Sequence, residues 1–157
     1  MGDWYAVDLV LNRRQFILAV SSESRIAVVV PAAPYSTFPS RLPVAVADVL
    51  VSMQVTAANI ASEVNEMQDI FLAKTESRSI IGSMNDYRKH LEMMAALGRL
   101  NIDHPHMMSL RLSGTPSLVM PGVWPQKVTM KLFGQPEQPP AKMVGNPFKK
   151  PSLVLVK

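Results

Sequence analysis

The hydrophobic pattern of the chain changes period as it runs, from two residues near the start to between three and four further on. From Trp4 to Leu11, Tyr5, Val7, Leu9 and Leu11 fall on one side and Trp4, Ala6, Asp8 and Val10 on the other, which predicts a strand. Asp8 is the odd residue of its side. Asn12-Arg13-Arg14-Gln15 reads as a hairpin loop, Phe16 to Val20 as the returning strand, Ser21 to Ser24 as a second turn, and Arg25 to Val30 as a third strand that stops at Pro31. Three short runs joined by tight polar loops form an antiparallel meander. The last two are apolar on both sides, which predicts cover on both faces and a central place.

Helical spacing then takes over. Ser36 to Ser40 leads into a helix with Pro43 expected in its first turn and Leu42, Val46, Val49, Leu50 and Met53 on its buried side. Thr56 is placed to cap a second helix, with Ile60, Val64 and Met67 as its apolar stripe and Glu63, Asn65 and Glu66 toward water. Asp69 to Ala73 has the length and composition of a short buried strand. From about Ser77 to Leu97, Ile80, Met84, Tyr87, Leu91, Met94 and Ala95 recur at helical intervals, and Gly98 stands where helices end. The expected fold is α+β: a mainly antiparallel sheet, made of the three-strand meander plus one later strand, packed with about three helices. Past Gly98, Leu110 to Leu112 reads as a short strand or extended connector. Val128, Met130 and Leu132 suit an edge strand, although Trp124, Val128 and Leu132 also fit a helix. Residues 1–133 are expected to form one domain and 134–157 a Pro- and Lys-rich disordered tail, with Leu153 to Val156 as a short apolar end.

Composition narrows the functional classes. The 157 residues contain no cysteine, which excludes disulfides, thiol nucleophiles and thiolate metal centres and fits a reducing compartment, the bacterial cytoplasm. No apolar run is long enough to span a membrane, and the first residues lack a signal-peptide pattern. The net charge of +4 comes from the end of the chain, where six lysines from Lys127 onward face one acid, Glu137; residues 1–126 carry a balance near zero. A nucleic-acid partner is therefore not expected, and aromatic residues at 6% give little surface for stacking bases.

Candidate chemistry concentrates between Lys74 and Asp86. A strand-to-helix junction with Thr75 or Ser77 as helix cap offers free amides and the positive end of the helix dipole, a natural place for phosphate or carboxylate. Lys74 and Arg78 supply charge, Thr75, Ser77 and Ser79 hydroxyl and amide donors, and Asn85 and Asp86 orienting groups. Arg78, Gly82, Asn85 or Asp86, and Lys89 follow one helical face, with Ser79 and Ser83 beside them. The bland use of the same residues is capping and close backbone approach at Gly82. Asp86 and His90, four apart, form a weaker candidate for an acid–base pair. Asp103-His104-Pro105-His106 is read as a loop rather than a metal site, the eleven methionines as core filling, and no nucleotide-loop, dinucleotide, nucleophile-elbow or zinc-protease motif occurs. Neither a cofactor nor a metal is expected.

Ala73-Lys74-Thr75, Arg78-Ser79 and Gly82-Ser83-Met84-Asn85-Asp86 resemble the signature A-K-T-x-x-R-S-x-x-G-S-M-N-D of a bacterial family known only as a domain of unknown function. Gly2 to Ala6, Leu110-Arg111-Leu112 and Thr115-Pro116 are similar to its flanking motifs, so the likeness runs from about Gly2 to Phe133. It implies a shared architecture without a reaction. It also implies an extra strand and short basic helix ahead of Trp4; if Met1 is a shortened or alternative start, a strand edge is expected to be left open and the domain to be less stable or to rely on a partner. The functional expectation is a non-enzymatic cytoplasmic accessory domain binding a protein partner or small anion at Lys74 to Asp86. The alternatives are an enzyme on a phosphorylated or nucleotide-like substrate using Asp86 and His90, and a weak nucleic-acid binder acting through the basic tail.

Overall fold

The period-two segments pair as the meander their pattern requires. In the computed structural model, which describes residues 1–69, 73, 77–116 and 124–136, β1 (Trp4–Leu11), β2 (Arg14–Ser21) and β3 (Ala27–Pro31) form an antiparallel sheet in the order β1-β2-β3. The first hairpin is tighter than its sequence suggested. Asn12 and Arg13 alone make the turn, both at positive φ (47° and 66°), the backbone that matches strand twist in two-residue hairpins. Tyr5 faces Val20, Val7 faces Leu18 and Leu9 faces Phe16, so apolar side chains stack across one face.

Among the described residues five α-helices accompany the sheet: α1 (Phe38–Ser52), α2 (Ala57–Glu66), α3 (Arg78–Ala96), α4 (Pro105–Ser113) and α5 (Pro125–Leu132). The fold is α+β, as expected, with the helices on both faces. On one face Leu9, Phe16, Leu18 and Val20 pack against Ile80, Met84, Tyr87 and Leu91 of α3. On the other, Ala19 and Val28 pack against Val46, Val49 and Leu50 of α1. β2 is thus the middle strand of a three-layer stack, and its Leu18, Ala19 and Val20 are fully buried. β3 lies at the sheet's edge, yet α4 runs along it: Met108 and Leu112 join one core, Leu110 the other, and Ser109 Oγ accepts a hydrogen bond from Val29 N at 2.8 Å.

Several expectations are corrected. Leu110 to Leu112 is helical, because Pro105 opens a helix whose Met108 and Leu112, four apart, reach the core together. Val128 to Leu132 is helical too, starting at Pro125 with Thr129 Oγ1 donating back to Pro125 O at 2.8 Å. Both segments are short, and alternation over three to five residues does not separate strand from helix. Pro43 lies inside α1; it is Pro39 that occupies the first turn. Glu63 does not face water but is buried, its Oε2 2.9 Å from the amino group of Met1. The later strand expected at Asp69 to Ala73 falls largely on residues 70–72, which lie outside the described residues, as does the tail from 137 onward.

Candidate functional site

Ser77 caps α3, its Oγ accepting from Ile80 N at 3.4 Å while its own backbone stays extended. Lys74 and Thr75 lie outside the described residues. Two turns of α3 beyond Ser77 carry the remaining candidates, and they divide by what they touch. Ser83 is buried and donates to Ser79 O at 3.3 Å. Arg78 is exposed, and Asn85 and Asp86 are half-buried; none of the three makes a side-chain hydrogen bond to the described residues.

Ser79 is engaged by Arg25, which the hydrophobic pattern places in a strand. Arg25 precedes β3 in the left-handed region, at φ 62°, with its N donating to Ser21 O at 3.2 Å. Tyr87 Oη donates to Arg25 O at 3.0 Å, and Arg25 Nη2 donates to Ser79 Oγ at 3.2 Å. Ser79, Ser83 and Tyr87 recur every four residues, so one stripe of α3 faces the β2–β3 turn and holds both the backbone and the side chain of Arg25. The guanidinium's second terminal nitrogen, Nη1, is enclosed without a hydrogen-bond partner among the described residues. Burial pushes the Tyr87 phenol well up, the Arg25 charge offsetting part of the rise and Asp86 adding to it. No local pattern marks Arg25, since its role comes from the turn conformation and from a helix more than fifty residues later.

Asp86 and His90 share a face of α3 without hydrogen-bonding to each other. Burial lowers the His90 imidazole below its ordinary range, and Arg111 of α4 adds to the effect. The 103–106 cluster disperses: Asp103 pairs with Arg14, and His106 Nε2 lies 3.0 Å from Ser52 Oγ at the end of α1. Among the described residues no three His, Asp or Glu side chains are grouped to hold a metal, and no helix is long and apolar enough to cross a membrane. An open groove of about 630 Å³ lies between α1 and the end of α2, lined by Pro39, Pro43, Val44, Ala47, Val64 and Met67, with Asp48 as its one carboxylate. Its lining offers no acid–base or nucleophilic pair.

The model of a family described as "Domain of unknown function (DUF6933)" matches residues 1–128. The chain belongs to this family. The DUF6933 match takes in the whole sheet, Arg25, α3 and the first half of α5, in keeping with the resemblance carried by residues 73–86. No curated protein and no solved structure matches the chain.

Proposed function

We propose that this DUF6933 domain is a non-enzymatic accessory module of the cytoplasm that binds a small anion, a phosphate or carboxylate, where the β2–β3 turn meets the first turns of α3. The observation that carries the reading is Arg25, held by Tyr87 and Ser79 against the N-terminal end of a nineteen-residue helix with one guanidinium nitrogen unmatched among the described residues. A fixed guanidinium loses little rotamer freedom on binding, and its fork suits oxyanions. Arg78 adds an exposed charge beside Ser79 that makes no side-chain hydrogen bond among the described residues, and the helix dipole favours the same sign of ligand. Asn85 and Asp86, about two turns further along, are the orienting groups that select among anions carrying a donor.

Isothermal titration of the protein with inorganic phosphate and pyrophosphate tests the reading. The expected result is saturable binding that weakens with added salt and falls about tenfold or more in Arg25→Ala, because a hydrogen bond to a charged group is lost. Arg78→Ala is expected to cost less, and Arg25→Lys to restore part of the affinity. Binding that is absent, or unchanged in both alanine variants, overturns it.

A further inference from the structure

The two edges of the sheet are treated differently. Asp3 O accepts from Ser22 N at 2.8 Å, and with the unbroken one-to-one register this phase turns the backbone groups of Tyr5, Val7, Leu9 and Leu11 toward β2. The phase of β2 agrees, since Ala32 N donates to Gln15 O and Ser21 N to Ile26 O, so alternate β2 residues serve β3. The N–H and C=O groups of Trp4, Ala6, Asp8 and Val10 therefore point outward from the sheet. At the opposite edge the outward amide of Val29 is met by Ser109 of α4. Among the described residues nothing meets those of β1, and Ala6, Asp8 and Val10 are exposed, Val10 to 56%.

Open edges are usually blunted by lysine, proline, a bulge or shortening. β1 has none of these: it is eight residues long, pairs without a bulge, and carries Asp8 as its one charge. We propose that β1 is an interaction edge and that its occupant is a second copy of this chain, joined antiparallel about a two-fold axis at Val7 into a continuous six-stranded sheet. The side chains select both occupant and register. With the axis at Val7, half-buried Val7 meets its own copy, half-buried Tyr5 meets Leu9, exposed Val10 meets Trp4, and Asp8 meets Ala6, so every unfinished apolar contact of the strand is completed. The same register sets Arg13 at the hairpin tip diagonally across from Asp3 of the second copy, two residues off direct opposition, with opposite charges near each end. An axis at Asp8 sets two carboxylates face to face, and one at Ala6 sets Trp4 against Asp8. The surface is isologous, as a two-fold pair requires, and it lies apart from the Arg25 site.

Sedimentation over a wide concentration range, with cysteine scanning of β1, tests this. The natural chain has no cysteine, and facing residues at a non-hydrogen-bonded antiparallel position sit about 4.5 Å apart at Cα, within disulfide reach. A concentration-dependent dimer is expected, with Val7→Cys cross-linking across copies under mild oxidation and Val10→Cys failing to. Ala6→Pro, which removes one outward N–H per copy and leaves the β1–β2 ladder its bonds, is expected to weaken association about tenfold. A monomer at every concentration, cross-linking of Val10→Cys as fast as Val7→Cys, or undiminished association of folded Ala6→Pro overturns the proposal. The cysteine comparison decides it if the proline variant does not fold.

Discussion

Arg25 shows how one residue acquires a role from its surroundings. Its left-handed backbone costs stability for a side chain with a Cβ, and Tyr87 and Ser79 over-determine it from α3. His90 is the companion case on the same helix. Its folded pKa lies below the unfolded one because of burial and Arg111, so in the acid range the unfolded chain binds more protons. The contribution is present above the unfolded value of about 6.5 and is lost as pH falls through the lower folded value. Stability should therefore decline below neutrality, and His90→Gln should flatten part of that decline in urea titrations run across pH. An unchanged pH slope in the variant would contradict the assignment. Arg111→Ala should move the His90 imidazole resonances toward an ordinary titration midpoint.

At the scale of elements, α3 and α4 are held by single hydroxyls at places where the backbone has no partner of its own. Ser77→Ala removes the cap of α3 and should lower stability by about 1 kcal/mol, read by chemical denaturation, with Ser77→Gly costing less. Ser109→Ala strands the enclosed Val29 amide and should cost about 1–3 kcal/mol, with hydrogen exchange at Val29 accelerating more than at Val28. What was legible in the sequence follows from the same distinction. β1, the apolar side of α1 and the span of α3 could be read because a long periodic pattern reports a buried face directly. α4 and α5 are not legible in the same way, because nine and eight residues hold barely two turns, too few to reveal a period. The charge of Glu63 points to water, whereas in the fold it is buried against the amino group of Met1, sixty-two residues away. Ser77, Arg78, Ser79 and Ser83 were visible as a cluster, but which are engaged internally depends on Arg25, a partner that local sequence does not announce.

At the scale of the whole molecule, the three-layer stack leaves two kinds of unfinished polar surface among the described residues: the outward backbone of β1, and the partly engaged Arg25 with exposed Arg78 beside the first turn of α3. The core between them sets how rigidly both are presented. Leu91 is fully buried between α3 and the sheet, and Leu91→Ala should cost about 2–5 kcal/mol and loosen the hold of α3 on the β2–β3 turn, weakening anion binding without touching the ligand. The central claim is that Arg25 and the start of α3 receive an anion together. Its most direct test is a nitrogen-15 NMR titration of the full chain with inorganic phosphate, following backbone amides and arginine side chains. Saturable shifts centred on the amides of Arg78 to Ile81 and the Arg25 guanidinium are expected, abolished in Arg25→Ala. Shifts that are absent, that centre on the lysines beyond Gly134, or that persist unchanged in Arg25→Ala would contradict it.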